Sequence, residues 1–205
     1  MHGWQCIVLP GADVALSPHW LDVAEADALL DELQRTVAWE THRIRLFGRE
    51  VASPRLSCWI GDPGADYVYS RSRFQPRPWP AVLAALRPRI EHACGARFNS
   101  VLANLYRDGN DAMGWHSDDE PELGAQPVIA SLSLGAQRRF RFCRRRARGE
   151  PAQPGDTFEL ALPHGSLLRM AGDTQSLYRH ELPRMRHLDA ARINLTFRHI
   201  DTAAH

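Results

Sequence analysis

The spacing of apolar positions changes along the chain. From Asp22 to about Val37 they recur at helical spacing, with Leu29, Leu30, Leu33 and Val37 on one stripe and Asp22-Val-Ala-Glu25 in the form of a capping box. A second helix is predicted from near Pro80 to Gly95, where Pro80 suits a first turn, Gly95 a C-terminal cap and Pro88 a kink. Between them, residues 42–78 read as short strands and turns. Leu46-Phe47-Gly48-Arg49 has the composition of a hairpin tip and Gly61-Asp62-Pro63-Gly64 that of a turn. From Val101 onward the period becomes two. Asn104 and Tyr106 then share one strand face, as do Ser131 and Ser133, Phe140 and Phe142, and Arg192, Asn194, Thr196 and Arg198. Short strands of this kind, joined by turns, predict a double-sheet β architecture, a jelly roll.

The length of 205 residues and 44% hydrophobic content suit one domain, 1–205. Helices, short strands and the hairpin fall in 1–100, and the alternating segment in 101–199. All 25 basic side chains are Arg, and 24 acids leave a formal charge of +1, so any nucleic-acid surface has to be local. Seven arginines, at 138, 139, 141, 144, 145, 146 and 148, supply such a concentration. Cys6, Cys58, Cys94 and Cys143 lie far apart without CxxC pairing, which argues against a zinc ribbon or a disulfide scaffold. The N-terminus lacks a basic leader, and no run approaches the roughly 18 apolar residues of a membrane helix. A soluble, cytoplasmic, monomeric protein is the expectation.

The candidate chemistry lies in His116-Ser117-Asp118, the distant His180, and Arg192-Ile-Asn-Leu-Thr-Phe-Arg198. Two imidazoles and one carboxylate, the third ligand far along the chain, make the facial triad that holds non-heme Fe(II) and leaves positions open for a co-substrate and O₂. If 115–118 is extended, His116 and Asp118 project from the same side and Ser117 from the other. An H-x-D pair also arises by chance, and a lone histidine is more often a surface or core residue than a ligand. The strand 12 residues after His180 adds weight to the metal reading. Ile193, Leu195 and Phe197 should face the core, leaving Arg192, Asn194 and Arg198 on the opposite face, where two guanidinium forks suit a dicarboxylate. The alternative is a solvated charged face.

Taken together these stretches resemble the AlkB-type Fe(II)/2-oxoglutarate dioxygenases, which oxidatively demethylate nucleic acids. The matching segments are Asn104-Leu-Tyr-Arg-Asp-Gly, Trp115-His-Ser-Asp-Asp-Glu-Pro-Glu-Leu, Ile129-Ala-Ser-Leu-Ser-Leu-Gly-Ala, Leu162-Pro-His-Gly-Ser-Leu-Leu, His180 with its following Leu-Pro, and Arg192 to Arg198, covering roughly residues 54–199. The resemblance implies an α+β, mainly β fold, a double-stranded β-helix with helices packed on one side. It implies His116, Asp118 and His180 as iron ligands and Asn104, Tyr106, Arg192, Asn194 and Arg198 as the 2-oxoglutarate site, with Arg192 on the distal carboxylate and Arg198 near the chelating end. The activity it implies is oxidation of N-methyl groups on N1-methyladenine and N3-methylcytosine in DNA, with RNA as a second candidate substrate, using Fe(II), 2-oxoglutarate and O₂ and releasing formaldehyde, succinate and CO₂.

Substrate contacts follow from the same resemblance. Glu120 continues the alternation of His116 and Asp118 toward the pocket, where a carboxylate suits a cationic methylated base, or else belongs to the solvated acidic run Asp118-Asp119-Glu120-Pro-Glu122. Tyr67, Tyr69 and Ser70 resemble a base lid, or else form a plain strand with outward tyrosines. Phe47 resembles a wedge pushed into the base stack, or else packs on the helical layer. Arg144, Arg145 and Arg146 are assigned to backbone phosphates, the alternative being a solvated hairpin, and Arg55 joins the substrate set. Two rival functions stand beside this one: a same-family enzyme acting on a protein or other non-nucleic substrate, and a non-catalytic jelly-roll binding module.

Overall fold

The computed structural model describes residues 3–41, 43–46, 49–69, 72–146, 151, 153 and 155–201. Its elements in chain order are β1 (Gln5–Ile7), β2 (Asp13–Ser17), α1 (Val23–Thr36), β3 (Arg43–Leu46), β4 (Arg49–Ala52), β5 (Leu56–Gly61), β6 (Tyr67–Tyr69), β7 (Ser72–Phe74), α2 (Ala81–Cys94), β8 (Ser100–Tyr106), β9 (Met113–His116), a 3₁₀ turn (Pro121–Leu123), β10 (Ile129–Gly135), β11 (Arg138–Arg144), β12 (Thr157–Leu162), β13 (Ser166–Ala171), α3 (Thr174–Leu177), β14 (Tyr178–Leu182) and β15 (Arg192–Arg198). The one-turn helix α3 is not anticipated by the sequence reading, because four residues carry no periodicity.

Local signals explain the two long helices. The Asp22 carboxylate accepts from the Glu25 backbone N–H at 2.8 Å and caps α1. The Glu25 carboxylate pairs with Arg89 of α2 and so ties the two helices together. Ala26, Leu29 and Leu33 form the buried face of α1, with Leu30 half-buried at its edge. Helix α2 starts after Pro80, contains Pro88, and ends at Gly95, whose φ of 65° places it in the left-handed region. The expected turn after β5 forms as well. The Asp62 carbonyl accepts from the Ala65 N–H at 3.1 Å, and Gly64 at φ 87° takes the position that excludes most side chains in a type II turn.

A seven-stranded antiparallel sheet runs in the order β1-β2-β13-β10-β15-β8-β5, and a four-stranded sheet in the order β12-β11-β14-β9. Since β1, β2 and β5 join the same sheet as β8, the larger sheet crosses the division at residue 100. Its two faces are covered differently. On one, Leu29, Leu33, Leu83, Leu86 and Ile90 of the helices pack against Ile60, Val101, Ala103, Leu132, Leu195 and Phe197. On the other, Trp59, Tyr106, Ile129, Leu168 and Met170 meet Phe140, Phe142, Leu160, Leu162 and Leu182 of the smaller sheet. This is the jelly roll with helices on one side. Because both faces are covered, every residue of β15 is buried, polar ones included.

Register carries the polar residues of the larger sheet into line. Asn194 lies opposite Asn104 on one side and Ser133 on the other, and Arg192 opposite Tyr106 and Gly135. In the smaller sheet His180 lies opposite His116. Beyond β8 the chain closes tightly on the segment after β14. Gly109 exchanges backbone hydrogen bonds with Met185 and Leu188, each at 2.8 Å, and a Cβ at Gly109 would lie 1.8 Å from the Met185 carbonyl oxygen.

Leu33→Ala, at a fully buried position, should cost about 2–5 kcal/mol, and Asp22→Ala about 1 kcal/mol. Urea unfolding with an unchanged m value checks both. A larger loss from the cap than from the core leucine would show that α1 is not seated on the sheet as described.

Candidate functional site

Strands β9 and β14 deliver the two imidazoles, and the segment leaving β9 delivers the carboxylate. His116, Asp118 and His180 offer ligand atoms that all lie within 4.8 Å of one another. The imidazole rings meet edge to face with centroids 4.2 Å apart. His116 Nδ1 lies 2.8 Å from the Gly114 carbonyl, so it carries the proton and donates, which leaves Nε2 as the ligand atom. Asp118 Oδ1 accepts from Arg198 at 2.5 Å, while Oδ2 lies 3.9 Å from His180 Nε2. One carboxylate oxygen is thus held by the arginine and the other faces the imidazole. Strand β9 ends at His116, so Asp118 reaches the site from beyond the strand and not as its next inward residue.

The protonation states suit a metal. Burial pushes His180 down to about 3, with the neighbouring His116 adding to the effect, and burial also lowers His116 against the attraction of Asp118. Both imidazoles are neutral at neutral pH, with lone pairs available. Burial alone would raise the Asp118 carboxyl, but Arg198 and then the two imidazoles outweigh it and hold the group below the ordinary carboxylate range.

These residues line a cavity between the sheets whose opposite wall comes from β8, β10 and β15. Leu102, Asn104, Tyr106, Ser131, Arg192, Asn194, Thr196 and Arg198 form that wall. Hydrogen bonds fix its rotamers: Arg192 donates to Ser133 at 2.9 Å, Asn194 to Ser131 at 2.7 Å, and Thr196 to Asn194 at 3.0 Å. Two guanidinium groups here face one carboxylate, so the wall carries excess positive charge even before a divalent ion is added. Uncompensated buried charge is costly. The buried Arg192 Nε has no hydrogen-bond partner among the described residues, nor has His180 Nδ1. Burial pushes Arg192 down to about 10, which still leaves it charged at neutral pH. A small dianion would supply the missing acceptors and charge, so the residues fit a divalent metal together with a dicarboxylate.

The remaining sequence assignments fare unevenly. Asn104, Tyr106, Arg192, Asn194 and Arg198 are brought together in the cavity with the His116, Asp118 and His180 cluster. Arg55 is buried and donates to Asn104 at 2.8 Å and to Ser53 at 3.1 Å, outside the cavity lining, although its charge reaches His116. Glu120 is half-buried at the start of the 3₁₀ turn and is not among the lining residues, since the alternation that would aim it inward ends with β9. Of the arginine run, Arg138 is a correction. It is fully buried and donates to the carbonyls of Asp108, Asp111 and Pro183, so it braces the loop after β8 and is not available to phosphates. Arg144, Arg145 and Arg146 are exposed, with Arg145 on Asp119 and Arg146 near Asp156. Phe47, Ser70 and Arg148 lie outside the described residues, while Tyr67 and Tyr69 are the ends of β6. Sequence reasoning passed over Gln175, whose amide oxygen accepts from the Asp118 backbone N–H at 3.0 Å.

Residues 13–198 match the family model described as the 2OG-Fe(II) oxygenase superfamily. The chain is 40% identical over 181 residues to the DNA oxidative demethylase ALKBH2 of Homo sapiens, covering 86% of this chain and 69% of that protein. It is an AlkB-type member of that superfamily. It is also 42% identical over 191 residues to the alpha-ketoglutarate-dependent dioxygenase alkB homolog 3 of Homo sapiens, which matches 90% of the AlkB-type chain. The chain spans 65% of that relative's length. A solved structure described as that of OsALKBH1 shares the fold, with a TM-score of 0.64 at 18% identity over 96% of this chain and 100% of the other. Membership of this family implies Fe(II), 2-oxoglutarate and O₂.

The depressed His180 and Asp118 groups also set a pH dependence for the metal-free AlkB-type protein. Their folded forms resist protonation: the His180 contribution is complete above about pH 6.5, the ordinary histidine value, and is lost as pH falls toward 3, while that of Asp118 is lost only below the ordinary carboxylate range. Denaturant midpoints of chelator-treated protein should fall across that window, and His180→Gln should flatten the slope. An unchanged slope would show that His180 is not the buried neutral group described.

Proposed function

We propose that this AlkB-type protein is an Fe(II)/2-oxoglutarate-dependent oxidative demethylase of N-alkylated nucleic-acid bases, acting on N1-methyladenine and N3-methylcytosine in DNA. The observation that carries the reading is the meeting, in one buried cavity, of the His116, Asp118 and His180 cluster with Arg192 and Arg198. His116 Nε2, Asp118 Oδ2 and His180 would hold the metal. Arg192, with Ser133 and Tyr106 at its sides, takes the far carboxylate of the co-substrate. Arg198, which pairs with Asp118, would meet the near end, and Asn104 and Asn194 keep the wall polar between them. When bound, iron, 2-oxoglutarate and O₂ supply the oxidising power: the keto acid becomes succinate and CO₂, and a hydroxylated N-methyl group leaves as formaldehyde. The chain itself binds, orients and excludes water. Phe140 stacks on the His180 ring at 5.3 Å and shields that side of the site with apolar surface.

The choice of nucleic acid is supported by the relatives named as DNA oxidative demethylases. The exposed arginines 144–146 at the end of β11 concentrate positive charge locally despite the near-neutral chain, with Asp119 and Asp156 beside Arg145 and Arg146.

Oligonucleotides carrying one N1-methyladenine or N3-methylcytosine should lose the methyl group, read by mass spectrometry, only when Fe(II) and 2-oxoglutarate are both supplied. Succinate formation without demethylation would move the substrate to another class. Arg192→Ala should raise the KM for 2-oxoglutarate about 10- to 100-fold, as expected for a lost charge-assisted contact. An unchanged KM would sink the carboxylate assignment.

A further inference from the structure

Asp118 lies outside the strands that carry the two histidines. Strand β9 stops at His116, and the next named element begins at Pro121. No strand ladder therefore holds the ligand's own backbone, and its placement depends on what grips residues 117–119. Two groups do so. From the interior, the Gln175 side chain, 2% exposed, accepts the Asp118 N–H at 3.0 Å. From the solvent side, Arg145 Nη1 donates to Asp119 at 2.5 Å and lies 3.3 Å from the Gln175 carbonyl and 3.5 Å from Ser117 Oγ.

Magnitudes decide between the two grips. The Arg145 and Asp119 side chains are 43% and 49% exposed, so water screens the pair and it holds the segment weakly. Removing the Gln175 acceptor leaves a buried backbone N–H unsatisfied, a larger penalty than losing an exposed ion pair, unless the segment moves. Movement of Asp118 is movement of a metal ligand. Gln175 is itself fixed. Its Nε2 lies 3.7 Å from Met170 Sδ, and its neighbour Thr174 donates to the Ala171 carbonyl at 2.6 Å and accepts from the Asp13 N–H at 3.1 Å. Helix α3 is thereby anchored to β2 and β13 of the larger sheet. It then runs directly into β14, which carries His180 five residues after Gln175.

We propose that Gln175 is a positioning residue for Asp118, acting through the ligand's backbone N–H, and that it sets the metal affinity of the site. Segment 174–182 then places all three ligands: His180 directly, His116 by cross-strand pairing, and Asp118 through Gln175. The proposal rests on the metal-ligand assignment made above.

The test uses the metal-free 205-residue chain titrated with Mn(II), free ion being followed by electron paramagnetic resonance, with thermal unfolding recorded alongside. Gln175→Met keeps the length and packing but removes the acceptor, whereas Gln175→Glu retains an acceptor oxygen in either protonation state. Gln175→Met should weaken Mn(II) binding about 10-fold or more, and Gln175→Glu should recover most of the loss. Wild-type affinity in Gln175→Met, or equal losses in both variants, overturns the proposal and leaves Gln175 a packing residue. Asp118→Ala serves as the separate check: if it binds Mn(II) as the wild type does, the ligand assignment fails and not the role of Gln175 alone. Should Gln175→Met not fold, hydrogen exchange on the wild type decides. The Asp118 amide should be protected in metal-free protein relative to its neighbour Asp119, and free exchange at Asp118 overturns the proposal.

Discussion

The site depends on the antiparallel pairing of β14 with its neighbours. That ladder sets His180 opposite His116, and β11 on the other side supplies the Phe140 and Phe142 rings that pack against the same imidazole. A one-residue slip would turn His180 outward and bring Arg179 into the apolar layer between the sheets. Slippage is opposed by Tyr178 and Leu182, which flank His180 on its inward face and are buried with it. The geometry of the metal cluster is thus a by-product of ordinary hydrophobic registration, and the polar residues occupy places that the packing leaves them.

Buried arginines in this molecule do two separate jobs, distinguished by their partners. Arg138 has its guanidinium on three backbone carbonyls and over the Tyr106 ring. Arg55 has Asn104 and Ser53, and Arg198 has Asp118. Arg192 has the Ser133 hydroxyl, the Tyr106 ring and a buried nitrogen without a hydrogen-bond partner among the described residues. Burying a cation costs several kcal/mol unless such partners compensate. Among the described residues Arg138 also leaves its Nε without a hydrogen-bond partner, but its other nitrogens meet three fixed carbonyls, whereas Arg192 has one serine hydroxyl and the Tyr106 ring on the wall of the cavity.

Much of this was legible in the sequence because parity on a two-sided sheet is nearly deterministic. The alternation of Arg192, Asn194 and Arg198 with Ile193, Leu195 and Phe197 places each set on its own face, with the helices against one and the cavity against the other. The same rule loses its warrant where a strand stops. Extending the alternation past His116 aimed Glu120 inward, but the chain leaves the ladder there. Composition misled at Arg138, since a run of arginines looks solvated while alternation along β11 carries one of them inside. Gln175 was invisible for a different reason. It acts on a backbone N–H 57 residues away, and neither propensity nor periodicity encodes such a contact.

The close approach at Gly109 has a consequence for how the molecule can change. The requirement there is one of space and not of backbone conformation, because the Met185 carbonyl stands where a side chain would begin. The two hydrogen bonds that bring the chains so near also anchor the stretch leading from β14 toward β15. Any lineage that lengthens the side chain at 109 must rebuild residues 185–188 in the same step. These two stretches, remote in sequence and outside the cavity, therefore form one unit of evolutionary drift, and a graft that transfers one without the other would import a steric conflict beside an otherwise intact site.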